Sequence, residues 1–123
     1  MYEYEMEELD ITSVDYSKEY FVERATQYKE MCKQGITLVD SRDFSAARRL
    51  LTKLRGMLRL DAKGSMSSLV PKKAPNYYRA YYSRIHSASV EVTGSVRNER
   101  LGTSFAGISS ELGSVIIALK QTE

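Results

Sequence analysis

Apolar side chains recur at alternating steps of three and four residues in four segments of the chain, which cover residues 21–39, 44–58, 78–92 and 105–119. This spacing places the side chains along one stripe of an α-helix, about 100° wide, and such a stripe is buried against another element. Four stripes of this kind predict an all-α protein. Because the first two helices are joined by a short turn, we expect an antiparallel four-helix bundle made of two helical hairpins.

The chain divides into four parts where its composition and periodicity change. Residues 1–15 are rich in carboxylates and aperiodic, so we interpret them as an acidic lead-in or tail. Residues 16–60 form the first predicted hairpin, residues 61–75 a linker, and residues 76–123 the second hairpin. A chain of 123 residues fits one domain with a modest core.

Turn and cap residues set the expected ends of the helices. The four helices are predicted over about 16–39, 44–60, 76 to at least 92, and 105–120, the last after a break at 102–104. The large apolar residues of the stripes form the predicted core: Phe21, Tyr28, Phe44, Leu51, Leu54, Leu58, Tyr78, Ile85, Phe105, Ile108, Leu112 and Val115.

The linker contains the tripeptide Gly64-Ser65-Met66, which has the form of an engineered junction followed by a fresh start methionine. On that interpretation the chain is a fusion of two subunit fragments, each a helical hairpin of about 60 residues that is marginal alone. The alternative is an ordinary loop in which these three residues occur by chance. Both interpretations stay open at the level of sequence.

Composition indicates a soluble protein. Apolar residues make up 42% of the chain and charged residues 28%, which is usual for globular domains. The single cysteine, Cys32, excludes an intramolecular disulfide framework and suits a reducing compartment. No stretch approaches the ~20 apolar residues required to cross a bilayer, and the acidic N-terminus is unlike a signal peptide. We therefore expect an intracellular protein without a membrane segment.

Charge is distributed unevenly, although the formal net charge is only +2. Residues 1–30 carry nine carboxylates against three basic residues, whereas residues 42–84 carry eleven Lys and Arg against two aspartates. A chain with this asymmetry either attracts a charged partner or pairs its own two ends.

Candidate catalytic and metal-binding groups are few. His86 is the single histidine, and its one conceivable nucleophilic partner, Cys32, lies on the apolar stripe of its helix, where a buried and inert thiol is expected. No Cys or His cluster has zinc spacing, and no glycine-rich phosphate loop follows a strand. We therefore predict no catalytic residue, no cofactor and no metal, and a protein that is not an enzyme.

Two functions fit this pattern. The first is a non-enzymatic protein–protein interaction module, such as an adaptor or a complex subunit. Its partner is an unidentified protein, a second copy of the chain, or the opposite hairpin in a hairpin–hairpin heterodimer. Apolar and aromatic residues beside the stripes form the predicted interface: Leu50, Met57, Tyr77, Tyr82 and Ile116.

The alternative is a nucleic-acid-binding helical protein that uses the basic zone 42–84. Cations interleaved with tyrosine rings are typical of surfaces that bind single strands. The residues predicted for this function are all basic: Arg48, Arg49, Lys53, Arg55, Arg59, Lys72, Lys73, Arg79 and Arg84.

Residues 43–55, Asp-Phe-Ser-Ala-Ala-Arg-Arg-Leu-Leu-Thr-Lys-Leu-Arg, resemble a helix in the C-terminal domain of HscB-type J-protein co-chaperones. An acidic-aromatic start, a small residue and a Leu-x-Lys-Leu-Arg stretch carry the resemblance, which extends over about residues 17–62. The J domain of that family and its His-Pro-Asp signature are absent from this sequence. The resemblance implies a protein-binding helical hairpin and no particular functional residue.

Overall fold

A computed structural model describes residues 6–66, 68–91 and 96–122. Within those ranges it is 74% helical and contains no strand, which confirms the all-α four-helix prediction. In chain order the helices are α1, Lys18–Asp40; α2, Phe44–Ala62; α3, Asn76–Ser89; and α4, Leu101–Gln121. One 3-10 turn, Lys63–Ser65, continues α2, and another, Asn98–Arg100, leads into α4.

Each helix packs against its neighbours in the chain, and α4 closes the ring by packing against α1. The α1–α4 contact is the most extensive in the molecule and joins the two hairpins. The two helices run antiparallel: Gly35 near the end of α1 contacts Phe105 near the start of α4, whereas Lys18 at the start of α1 donates to the carbonyl of Thr122.

Two side-chain caps fix the start of the first hairpin's helices. Ser17 Oγ accepts a hydrogen bond from Tyr20 N at 3.0 Å and begins α1. Asp43 Oδ1 accepts from Ala46 N at 3.3 Å and begins α2, so Asp43 provides the cap between the two helices. Both caps satisfy amide groups that have no partner inside their own helix.

Helix α4 begins earlier than its sequence indicates. A break was expected at 102–104, but the helix starts at Leu101 and runs through these residues. Leu101 is fully buried, so it anchors an additional turn that the local propensities of Gly102, Thr103 and Ser104 do not favour. Helix α3 ends at Ser89, and Val90 and Glu91 form a turn and a bend, so the expected extension of the helix to at least residue 92 is wrong; Val92 itself lies outside the described residues.

The predicted core is buried, with Phe44 at the start of α2 half-exposed as the exception. Aromatic rings fill the end of the bundle where α3 begins. Phe21 stacks on Tyr81 with ring centroids 4.5 Å apart, and it meets the rings of Tyr78 and Tyr82 edge-on at 5.0 and 5.9 Å. These contacts use the preferred offset and T-shaped geometries of aromatic pairs.

Residues 6–15 pack along the bundle as a lead-in to α1. Leu9 is 7% exposed and belongs to the core. Two tyrosines of α3 hold the segment's end: Tyr16 N donates to Tyr78 Oη at 2.7 Å, and Tyr77 Oη donates to the carbonyl of Tyr16 at 2.6 Å.

Among the described residues, one helical stretch, Asn98–Gln121, is long and apolar enough by composition to cross a membrane. In the bundle, 28% of its most apolar window is buried, so one side of α4 belongs to the protein core. The absence of a membrane segment stays a prediction.

Candidate functional site

Exposed cations cover the outer sides of α2 and α3. On α2 they follow helical spacing on the side opposite the buried stripe, and others lie on the link to α3 and on α3 itself. We call this surface the basic face; its exposed members are Arg48, Arg49, Lys53, Arg59, Lys63, Lys72, Lys73, Arg79 and Arg84. The remaining predicted cation, Arg55, is half-buried.

No exposed carboxylate offsets this charge along the same stretch. Between residues 44 and 90 the sequence holds one acidic residue, Asp61, and it is 1% exposed. Most exposed carboxylates lie instead on the lead-in and on α1: Glu7, Glu8, Asp10, Asp15, Glu19, Glu23, Glu30 and Asp40; Asp43, Glu91 and Glu99 are exposed elsewhere in the described chain. The exposed charged side chains described between residues 44 and 90 are therefore all positive.

Two arginines of the basic face are held by neutral partners. Arg48 Nε and Nη2 donate to Asn98 Oδ1 at 3.2 and 2.7 Å, and Arg49 Nη1 donates to Ser45 Oγ at 3.0 Å. Since neither acceptor is charged, both guanidinium groups keep their full positive charge for a ligand.

The predicted protein-interface residues lie deeper than their positions at the stripe edges indicated. Leu50, Met57, Tyr77 and Ile116 are half-buried and pack against the core. Tyr82 is 1% exposed, so its expected place on an outer surface is wrong. The reason is Gly64, whose missing side chain leaves room for the Tyr82 ring.

A cleft of about 540 Å³ lies beside the start of α3, between that helix and the link from α2. Two members of the basic face, Lys72 and Arg79, line it. The other lining residues are uncharged: Gly64, Ser65, Ser68, Val70, Pro71, Ala74, Pro75, Asn76, Tyr78, Tyr82 and Ser83. The cleft therefore combines apolar walls, hydrogen-bonding groups and positive charge, without a lining carboxylate.

Tyr82 is the one buried residue of the cleft wall with an unsatisfied polar group. Its hydroxyl has no hydrogen-bond partner among the described residues. Burial raises the pKa of Tyr82 above its ordinary value, and the nearby Tyr78 and Asp61 reinforce the shift. The hydroxyl therefore keeps its proton and can donate a hydrogen bond.

A buried ion pair joins α1 to the end of α2. Arg24 Nε and Nη2 donate to the two carboxylate oxygens of Asp61 at 2.7 and 3.0 Å. The hydroxyls of Tyr28 and Tyr81 donate to the same carboxylate at 2.8 and 2.7 Å. Arg24 Nη1 also donates to the carbonyl of Glu7 at 2.9 Å, so the network reaches the lead-in.

Burial and charge act in opposite directions on this network. Burial favours loss of the proton from Arg24, but hydrogen bonding and attraction from Asp61 outweigh it and raise the arginine's pKa. Burial, reinforced by the negative charge of Asp61, raises the pKa of Tyr28 and Tyr81. The arrangement is thus a buried ion pair whose carboxylate accepts from two hydroxyls that keep their protons near neutral pH.

The sequence interpretation missed this pair, although a signal was present. Arg24 falls on the stripe of α1 between Phe21 and Tyr28, and Asp61 continues the stripe of α2 three residues after Leu58. A basic and an acidic residue at core positions of neighbouring antiparallel helices indicate that the two meet.

The Cys32–His86 pair has no catalytic geometry. Cys32 is fully buried, whereas His86 is exposed on α3. Burial raises the pKa of the Cys32 thiol to about 12, so the thiolate required of a nucleophile is absent near neutral pH. Within the described ranges, no three His, Cys, Asp or Glu side chains gather as a metal site would require.

Comparison with protein-family models, with curated proteins and with solved structures gave no match to this chain. The resemblance to HscB-type co-chaperones therefore rests on residues 43–55 and their surroundings alone.

Proposed function

We propose that this chain is a non-enzymatic binding module and that its basic face binds nucleic acid. The observation that carries the proposal is the exposure of eight of the nine cations predicted for this function, in a stretch, residues 44–90, whose single acidic residue is the buried Asp61. The predicted protein-interface residues, in contrast, are half-buried or buried.

The shape of the face suits a phosphate backbone. A 19-residue helix such as α2 is about 28 Å long at 1.5 Å per residue, which spans several phosphates of an extended strand. On binding, the cations of the helix displace counterions that are condensed on the nucleic acid, and the release of these ions supplies affinity that does not depend on base sequence. Arg48 uses one Nε and one Nη2 donor on Asn98, so its other three N–H groups remain for phosphate oxygens.

A salt titration tests the proposal. Fluorescence anisotropy with labelled 20-nucleotide strands and duplexes, over about 50 to 300 mM salt, should give an affinity that falls linearly with log salt. Polyglutamate of similar charge serves as the acidic-protein comparison and should bind more weakly. Absence of binding to either nucleic acid at about 50 mM salt, or equal binding of polyglutamate, would overturn the proposal.

A second candidate, protein–protein interaction, is favoured by the outer side of α4. Ile117 on this side is 58% exposed, and the exposed residues before it are small and uncharged: Thr103, Ala106, Ser110 and Ser114. Small residues allow another helix to approach closely. In a dimer, the α4 helices of two copies would pack against each other through these uncharged sides. Sedimentation should then show a dimer that Ile117→Asp dissociates; a monomer at about 100 μM would exclude this mode.

A further inference from the structure

We propose that the cleft beside α3 takes one unpaired nucleotide, with its phosphate on Lys72 and Arg79 and its base against the apolar walls. This inference rests on the proposed function and specifies its ligand, a single strand rather than a duplex. The cleft and the basic face share these two cations, so a strand that follows the face reaches the cleft.

The lining of the cleft matches the parts of a nucleotide. Val70, Pro71 and Pro75 give apolar walls for a planar base, and Ser65 and Asn76 supply hydrogen-bonding groups for sugar and base edges. A volume of about 540 Å³ lies within the usual range for small-ligand sites, which is about 300–1,000 Å³. A base inside a duplex is paired and stacked, so it cannot enter a cleft of this size by itself.

Two further features belong to the cleft wall. Tyr82 lines the cleft, and its buried hydroxyl has no hydrogen-bond partner among the described residues. In addition, Pro75 begins α3 without a side-chain cap, and both Pro75 and Asn76 line the cleft.

Closing the cleft tests the site without removing charge. Ser83 lines the cleft and is exposed, so Ser83→Trp adds bulk there, and Ser87→Trp places the same ring one turn further along α3. Wild type and Ser87→Trp should bind a 20-nucleotide single strand about tenfold more tightly than a duplex. Ser83→Trp should lose this preference while its duplex affinity and its thermal unfolding midpoint stay unchanged. A preference that survives Ser83→Trp would overturn the site.

Charge removal at matched positions gives a second measure. Lys72→Ala with Arg79→Ala, and Arg49→Ala with Lys53→Ala, each remove two exposed cations of the basic face. Both pairs should weaken duplex binding by a similar factor. The cleft pair should weaken single-strand binding about fivefold more than the α2 pair does; equal losses would contradict a nucleotide held at the cleft.

A free nucleotide offers the same chemistry, and calorimetry with a nucleoside monophosphate distinguishes the two sources. If the protein binds the monophosphate but no strand, and Ser83→Trp abolishes monophosphate binding, the cleft is a free-nucleotide site and the proposed function fails. If Ser83→Trp removes the single-strand preference and the wild type binds no monophosphate measurably, the cleft takes a nucleotide within a strand. If neither the strand preference nor monophosphate binding responds to Ser83→Trp, the inference fails by itself.

Discussion

Gly64 lies against the ring of Tyr82 so closely that a Cβ atom on Gly64 would overlap the ring carbons. Gly64 belongs to the 3-10 turn after α2, and Tyr82 belongs to α3, so this contact sets how near the two elements approach. Whether Gly64-Ser65-Met66 is an engineered junction stays a prediction. The glycine itself has a packing role in the folded chain.

A methyl group at position 64 should destabilise the protein. We expect Gly64→Ala to lower the free energy of unfolding by about 1–3 kcal/mol, because either the Tyr82 ring or the 3-10 turn must move. Urea denaturation followed by circular dichroism measures this. Gly56→Ala is the matched control: its Cβ meets no atom within 4 Å on α2, so it should stabilise by about 0.5–1 kcal/mol. A Gly64→Ala variant at least as stable as the wild type would contradict the packing role.

Removing one partner of the buried ion pair should cost more than removing both. Asp61→Ala leaves Arg24 charged and 5% exposed, and we expect a loss of about 3–5 kcal/mol in urea denaturation. Arg24→Met with Asp61→Leu replaces both charges by apolar groups of similar size and should recover most of this loss. A double variant as unstable as Asp61→Ala would show that the hydroxyls of Tyr28 and Tyr81 dominate the network instead.

Stability should fall in alkaline solution. Burial raises the pKa of Cys32 from 9.0 to about 12, and burial with the charge of Asp61 raises those of Tyr28 and Tyr81 above 10.0. The unfolded chain therefore loses these protons first, so stability is full below about pH 9 and decreases above it, by up to about 1.4 kcal/mol per pH unit for each group. Urea titrations between about pH 8 and 11 measure the slope. Cys32→Ala should flatten it near pH 9 to 10; an unchanged slope would contradict the assignment to the thiol.

Reversing two charges of the basic face should abolish most nucleic-acid binding. Arg49→Glu with Lys53→Glu changes two exposed positions on α2, and we expect affinity for a 20-nucleotide strand to fall more than tenfold at about 50 mM salt. Lys33→Glu with Lys120→Glu makes the same change in net charge on α1 and α4. If anisotropy shows equal losses for both pairs, net charge alone would account for binding, and the basic face would have no special role.

The two hairpins should depend on each other. The most extensive helix contact, between α1 and α4, joins the first hairpin to the second, so each half alone exposes the core side of its helices. Residues 1–63 and 66–123 expressed as separate chains should co-purify and regain helicity on mixing. A half that folds as a stable monomer and does not associate with the other half would contradict this dependence.

The sequence predicts the helices and most of the core because both depend on periodicity, which is local. It fails at the start of α4, where burial of Leu101 outweighs the weak helix propensity of Gly102, and at Tyr82, whose burial depends on Gly64 in another element. The cations of the basic face were identified from composition. The structure shows that the one carboxylate between residues 44 and 90, Asp61, is turned inward toward Arg24, an arrangement that the stripe positions of both residues already indicated.

The Arg24–Asp61 pair also restricts how the helices can be aligned. A bundle held by apolar stripes alone tolerates sliding, since one turn of displacement, about 5.4 Å, brings similar side chains into contact. Sliding α1 by one turn along α2 would leave a guanidinium and a carboxylate in the interior without their partners and release the lead-in held at the Glu7 carbonyl. We therefore expect the pair to select one register of α1 against α2 among several that the apolar residues permit. Because Tyr81 of α3 donates to the same carboxylate, that register also holds the cations of α2 and the cleft of α3 in a constant spatial relation.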